Sequence, residues 1–166
     1  MKTVICKDIY GKEYVVPAEE LNIRVAVYAV IIKDNKILLT RQWDGYSLIG
    51  GGIKKGETTE EAIVREVFEE TGLTIVPDKC IHQSTSFFKR TFKDFKANQS
   101  IHLYFTCSNF SGTLSNKEIT KSEKNYTYDI PEWVDLGVIE DTKFRHSVDL
   151  QILLNAYRGF YPKGQC

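Results

Sequence analysis

The order of apolar and polar residues along the chain predicts strands first, then a helix, then further strands and a last helix. Residues 25–32 are eight consecutive apolar residues rich in β-branched side chains, which is typical of a buried strand. The polar residues 33–36 predict a hairpin turn, after which residues 37–40 form the returning strand. Upstream, residues 2–20 predict a short strand pair around Gly11.

Local signals at both ends of the first helix predict that it spans residues 59–71. Thr58 and Glu61 fit the S/T-x-x-E capping box, with Thr58 as the N-cap. Gly72 suits the position just after the last helical residue, where a left-handed backbone is common. Four apolar residues recur at four-residue spacing and are expected to face the core: Ile63, Val64, Val67 and Phe68.

The second half of the chain predicts three more strands, near residues 81–88, 101–107 and 131–136, and a helix at 147–158 that Gly159 ends. The segment between the first two of these strands is predicted to be an exposed basic hairpin loop carrying Lys89, Arg90, Lys93 and Lys96. Strands mixed with helices in this order indicate an α/β or α+β fold.

Composition and charge narrow the class of protein. The chain has 166 residues and a mass of 19.1 kDa, which predicts a single domain over residues 1–166. Its 22 basic and 22 acidic residues cancel, so binding to a nucleic acid polymer or a membrane surface is not expected. The longest apolar run is too short to span a bilayer, and four widely separated cysteines are typical of reduced thiols. A cytoplasmic location is expected.

Three glutamates of the first helix are the strongest candidates for chemistry. Glu66, Glu69 and Glu70 lie at i, i+3 and i+4, on one face of the helix, where their charges repel. A divalent cation relieves that repulsion, and carboxylate oxygens suit magnesium or manganese better than zinc. Arg65 precedes Glu69 by four residues and is expected to pair with it. The alternative is a solvated acidic face, which three glutamates on a helix would favour if nothing else were known.

The spacing around these glutamates decides against a solvated face. Gly51, Glu57, Arg65, the three glutamates, Gly72 and Leu73 form the pattern G-x5-E-x7-R-E-U-x-E-E-x-G-U, where U is aliphatic. A chance match in a chain of this length is on the order of 10⁻⁷. The pattern is the Nudix box, here residues 51–73, and the chain therefore resembles the Nudix hydrolase (MutT-like) family.

The resemblance implies a fold, a cofactor and roles for individual residues. The implied fold is a mixed β-sheet sandwiched between α-helices, and the implied cofactor is Mg²⁺, with Mn²⁺ as a substitute. By resemblance Glu66 and Glu70 are direct metal ligands, and Glu69 is either a third ligand or the group that orients the attacking water. The Gly50 carbonyl is a further candidate ligand, while Arg65 positions a glutamate. The implied catalytic residues are thus Glu69, Arg65 and Glu66.

The implied reaction is hydrolysis of a pyrophosphate bond in a small molecule, a nucleoside diphosphate linked to another moiety, by a chain that is a possible homodimer. Glu118 and Glu123 are candidates for the general base, although exposed loop acids are the plainer interpretation. Arg24 and Arg41 are candidates for binding substrate phosphates, and strand-end charges are the alternative. The histidines show no ligand spacing and are expected in strand packing or at the surface.

Two functions compete at this point. The first is a magnesium-dependent pyrophosphohydrolase, favoured because Arg65, Glu66, Glu69 and Glu70 are all present. The second is a catalytically silent Nudix-fold module that binds or senses a nucleotide. The identity of the substrate is left open by the sequence.

Overall fold

The computed structural model describes residues 1–42, 45–91, 96–115, 130–137, 139, 144 and 150–160. The first half contains β1 (Thr3–Lys7), β2 (Glu13–Pro17), β3 (Leu21–Val30), β4 (Ile32–Lys33), β5 (Lys36–Gln42), β6 (Gly45–Ser47), β7 (Ile49–Gly52) and α1 (Thr59–Thr71). The second half contains β8 (Leu73–Val76), β9 (Cys80–Lys89), β10 (Ala97–Thr106), β11 (Asn109–Gly112), β12 (Glu132–Asp135) and α2 (Leu150–Phe160).

The largest sheet is mixed and has the strand order β2-β1-β9-β10-β3-β7. Its centre is the parallel pair β10 and β3, which stay in register from Ala97 opposite Leu21 to Thr106 opposite Val30. On either side of this pair, β9 and β7 run antiparallel to their neighbours. The glycine-rich strand β7 therefore forms one edge of the sheet, and we call its residues 50–52 the glycine edge. The predicted strand pair around Gly11, now β1 and β2, lies at the other side of the sheet.

The two helices pack on opposite faces of this sheet, because successive residues of a strand point to opposite sides. On β3, Val27 packs with Ile63 and Val67 of α1. On the neighbouring β10, Tyr104 packs with Leu153 of α2. The predicted fold, a mixed sheet between helices, is confirmed. Within the described ranges, no helix is both long and apolar enough to cross a bilayer.

The predicted bounds and caps of α1 are confirmed. The Thr58 hydroxyl accepts from the Glu61 amide at 3.1 Å, and the Glu61 carboxylate accepts from the Thr58 amide at 2.8 Å. Gly72 ends the helix in the left-handed conformation, with φ of 72°. The prediction for Phe68 is wrong, since its side chain is 46% exposed while Glu66 and Glu70 are buried. The helix is packed against the glycine edge, so part of its buried side is polar.

The structure differs in detail from the predictions for the last helix and for the basic loop. Gly159 does not end the last helix but lies inside α2, which continues to Phe160. The predicted start of this helix, at 147–149, lies outside the described residues. In the loop between β9 and β10, which was expected to be exposed, Lys96 is exposed but Lys89 and Arg90 are half-buried, and Arg90 borders a cleft. Lys93 lies outside the described residues.

Candidate active site

The site begins where the glycine edge meets the helix α1. The Ile53 amide donates to the Val25 carbonyl at 3.1 Å, which holds the end of β7 against β3. A turn closed by the Glu57 amide and the Lys54 carbonyl, 3.1 Å apart, then reverses the chain into α1. The glutamate face of α1 consequently packs back on the β7 backbone.

Arg65 is the centre of this face. Its guanidinium binds Glu57 with two hydrogen bonds, from Nε at 2.6 Å and from Nη2 at 2.9 Å. Its Nη1 donates to Glu66 at 2.8 Å and to Glu69 at 3.1 Å, so the predicted pairing of Arg65 with Glu69 is confirmed. The Gly52 carbonyl accepts a further bond from Nη2 at 3.1 Å. One cation thus fixes three carboxylates and the backbone of the glycine edge.

Glu70 and Glu66 contact the glycine edge directly. The Gly50 amide donates to the Glu70 carboxylate at 3.1 Å, so Gly50 joins the site through its N–H. A Cβ on Gly51 would lie 2.7 Å from the carboxyl carbon of Glu66, closer than atoms in contact allow. Glycine at this position is therefore required for the observed place of the Glu66 carboxylate. We call Glu57, Glu66, Glu69 and Glu70 around Arg65 the carboxylate cluster.

The oxygen donors of the carboxylate cluster suit a hard divalent cation. Glu66, Glu69 and Glu70 present only carboxylate oxygens, which magnesium and manganese prefer. Because Gly51 has no side chain, the Glu66 carboxylate lies directly against the backbone of the glycine edge. Among the described residues, no three acidic, histidine or cysteine side chains already converge on a common point. Arg65 binds one oxygen of Glu66 and one oxygen of Glu69, so it offsets part of their charge and fixes their orientation.

The strength of the Glu57–Arg65 pair predicts an acid dependence of stability. Hydrogen bonds from Arg65 and then from the Lys54 amide lower the pKa of Glu57 from 4.5 to about 2. Stabilisation by this pair is complete above pH 4.5, the unfolded value, and is lost as the pH falls toward 2. Urea unfolding of the wild type and Glu57→Gln should therefore differ most at pH 6 and converge as the pH approaches 2. A constant difference across this range would contradict the ion-pair interpretation.

A cleft of about 670 Å³ opens beside the glycine edge, on the α2 side of the sheet. Arg24 lines this cleft, and its guanidinium lies 3.6 Å from where a Cβ on Gly52 would be. Arg65 and Arg24 thus approach Gly52 from opposite faces of the sheet. Arg41 is exposed on β5 opposite Tyr46 and does not border the cleft. The general-base candidates Glu118 and Glu123 lie outside the described residues.

His102 is a cleft residue that the sequence analysis placed only in strand packing or at the surface. It is 8% exposed, its ring lies edge-on to Tyr28, and it borders the cleft. Burial and then the charge of Arg24 lower the pKa of His102 to about 4, so the imidazole is neutral at pH 7. The signal in the sequence was the alternation of polar residues in an otherwise apolar strand: Asn98, Ser100 and His102.

A family model and several known proteins are similar to this chain. Residues 22–152 match a family model described as NUDIX domain. An ADP-ribose pyrophosphatase from Methanocaldococcus jannaschii is 52% identical over 54 residues, covering 30% of this chain and 32% of that protein. The match thus spans about a third of the length of this curated relative.

Two solved structures illustrate the similarity of fold. A MutT protein from Methanosarcina mazei Go1 superposes with a TM-score of 0.63 at 21% identity, over 86% of this chain and 98% of that one. An ADP-ribose pyrophosphatase from Streptococcus suis superposes with a TM-score of 0.54 at 17% identity, over 82% and 91%. At these identities the likeness concerns the fold alone.

Proposed function

The chain belongs to the NUDIX domain family, and from that premise we propose that it hydrolyses the pyrophosphate bond of a nucleoside diphosphate linked to another moiety. The observation that carries the proposal is the carboxylate cluster held by Arg65 against a side-chain-free glycine edge. A cationic cleft opens on the other face of that same edge. A pyrophosphate at the edge is then within reach of both the acidic residues and Arg24.

We assign Glu66, Glu69 and Glu70 to holding Mg²⁺, or Mn²⁺ in its place, with Gly50 beside them. When bound, the cation offsets the charge of the pyrophosphate oxygens and makes water a better nucleophile. Arg65 holds the Glu66 and Glu69 carboxylates in place through its two Nη1 bonds. Arg24, on the cleft side of the edge, is assigned to a phosphate of the substrate.

The substrate to test first is ADP-ribose. The Methanocaldococcus jannaschii relative is called an ADP-ribose pyrophosphatase, and the matched segment is 52% identical. The cleft volume of about 670 Å³ is in the range of small-molecule sites. The rest of the panel consists of nucleoside triphosphates, nucleotide sugars and dinucleoside polyphosphates, because these share the nucleoside diphosphate group.

We expect magnesium-dependent cleavage of at least one compound in this panel. Purified protein is incubated with each compound in Mg²⁺ or in excess chelator, and the products are separated by ion exchange. Release of a nucleoside monophosphate only with Mg²⁺ would support the hydrolase and name the substrate class. If no compound is cleaved while one of them still raises the Tm, the hydrolase proposal is wrong and the silent binding module replaces it.

A further inference from the structure

The cleft differs from the rest of the chain in its charge. The whole chain has 22 basic and 22 acidic residues. The described residues that line the cleft nevertheless include Lys7, Arg24 and Arg90 but no aspartate or glutamate. A cleft with walls of low dielectric constant focuses the field of its charges and attracts anions more strongly than an open surface. Three cations distributed along one cleft suit a ligand with negative charge at more than one place.

The cations lie at opposite ends of the cleft. Arg24 is on β3, next to the glycine edge. Lys7 is on β1, opposite Phe88 of β9, and Arg90 directly follows the end of β9. Two strands, β10 and β9, separate β3 from β1, a distance of three strand spacings or about 14 Å. One cationic end of the cleft therefore lies at the glycine edge, on the opposite face of that edge from the carboxylate cluster, and the other cationic end lies three strands away.

The lining between the two cationic ends is uncharged and combines the aromatic rings of Tyr28 and Phe88 with a group of polar side chains. It includes Ser86 on β9 and Ser100 directly opposite it on β10, together with Asn98 and His102. Asn98, Ser100 and His102 are all buried, and the low pKa of His102 keeps its ring neutral at pH 7. Hydroxyl, amide and imidazole groups of this kind bind the hydroxyls of a sugar or the edge of a base.

The cations at the far end of the cleft are Lys7, which is in a weak ion pair, and Arg90, which is fixed by the hairpin. Lys7 pairs with Glu13 at 3.2 Å, but the two side chains are 64% and 56% exposed, and exposed pairs of this kind are weak. A ligand anion therefore competes with Glu13 for Lys7 at small cost. The Arg90 amide donates to the Lys96 carbonyl at 3.0 Å, which closes the hairpin and keeps Arg90 at the end of the cleft.

We propose that the cleft selects substrates with a second anionic group, a phosphomonoester or a carboxylate, on one of the two moieties that flank the scissile pyrophosphate. This inference rests on the proposed function, because that function places the pyrophosphate at Arg24 and the carboxylate cluster. The neutral part of the substrate then lies over Ser100 and His102. The second anion lies between Lys7 and Arg90.

Two matched pairs of ligands test the inference and distinguish the sources of the anion. ADP-ribose is compared with ADP-ribose 2′-phosphate, and UDP-glucose with UDP-glucuronate. Their Kd values are measured by calorimetry on the Glu70→Gln protein with Mg²⁺, so that turnover does not disturb binding. The anionic member of at least one pair should bind about tenfold more tightly, as charge-assisted hydrogen bonds would give. A preference in the first pair alone identifies a phosphomonoester, and in the second alone a carboxylate.

A double variant shows whether Lys7 and Arg90 cause the preference for the anionic member of a pair. Adding Lys7→Gln and Arg90→Gln should reduce it to less than about threefold. The control, Lys2→Gln with Arg158→Gln, removes the same charge at exposed positions outside the cleft and should keep the preference. Circular dichroism verifies that both double variants fold. Equal Kd values within both pairs, no binding of any of the four compounds, or a preference that survives the loss of Lys7 and Arg90 would each overturn the inference.

The proposed function is judged separately, by turnover of the four compounds with wild-type protein. A binding preference without turnover of these four compounds or of any compound in the panel above would contradict the hydrolase and leave the anion selectivity of the cleft in place. Turnover without a binding preference would support the hydrolase and contradict the anion selectivity of the cleft.

Discussion

Replacing Glu70 by glutamine is expected to lower kcat for pyrophosphate hydrolysis by about 10²–10³-fold, a loss typical of removing one charge-stabilising group from an active site. Glutamine keeps the length of the side chain and an oxygen that accepts from the Gly50 amide. The buried contact with the glycine edge is thus preserved, and only the negative charge is removed. The loss should appear in kcat rather than in folding.

The control for this variant is Glu60→Gln on the same helix. Glu60 is exposed in the first turn of α1 and its carboxylate accepts from the Thr59 hydroxyl, away from Arg65. The same chemical change there should leave kcat within about twofold, as expected of a surface substitution. Magnesium should raise the Tm of the wild type and of Glu60→Gln more than that of Glu70→Gln. An unchanged kcat in Glu70→Gln would show that this carboxylate does not serve the reaction.

Features that depend on residues a few positions apart were predicted correctly from the sequence. The capping box joins Thr58 to Glu61, and the left-handed Gly72 follows from its own lack of a side chain. The predicted hairpin turn at residues 33–36 contains Asp34 and Asn35 at positive φ, a conformation that these residue types tolerate. Signals of this kind depend only on residues within a few positions of each other, and distant contacts did not override them here.

The burial of α1 was harder to predict, because its neighbours on each side differ. Periodicity assigns apolar residues to the core and acids to solvent, which is right for Ile63 and Val67. It fails for Phe68 and for the buried Glu66 and Glu70. The glycine edge lets carboxylates approach its backbone closely and offers an amide to Glu70. The sequence of the helix alone does not show that it packs against such a strand.

The cleft could not be predicted from the sequence either, because it depends on which strands pair. Arg24 and His102 lie far apart in the chain, and it is the parallel register of β3 and β10 that brings them to one face. Arg24 was named as a phosphate-binding candidate from its place at the start of a strand, and the structure puts it on the cleft. Arg41 was named from its place just before the glycine-rich loop, but it lies on β5, which belongs to a different sheet. Position within a strand therefore predicts little until the pairing of that strand is known.

Replacing Arg65 is expected to have the largest effect on folding. Arg65→Gln should lower the free energy of unfolding by about 3 kcal/mol, because Glu57, Glu66 and Glu69 would lose their shared partner in a site that is only 18% exposed at Arg65. The free energy of unfolding of Arg65→Lys should lie between those of the wild type and Arg65→Gln, since lysine keeps the charge but loses the paired bonds to Glu57. Urea unfolding at pH 7 measures both, and Arg158→Gln on the surface of α2 should stay within about 0.5 kcal/mol.

Magnesium distinguishes an ion-pair network from a site that also accepts a metal. If the carboxylate cluster binds a cation, Mg²⁺ should recover part of the stability lost in Arg65→Gln, because it offsets the charge that Arg65 no longer neutralises. NaCl at the same ionic strength screens these charges without binding between them, and should recover less. Equal recovery by the two salts would mean that the cluster only repels itself when Arg65 is absent. The assignment of Glu66 and Glu69 to a metal would then be wrong, even though their contacts with Arg65 would remain.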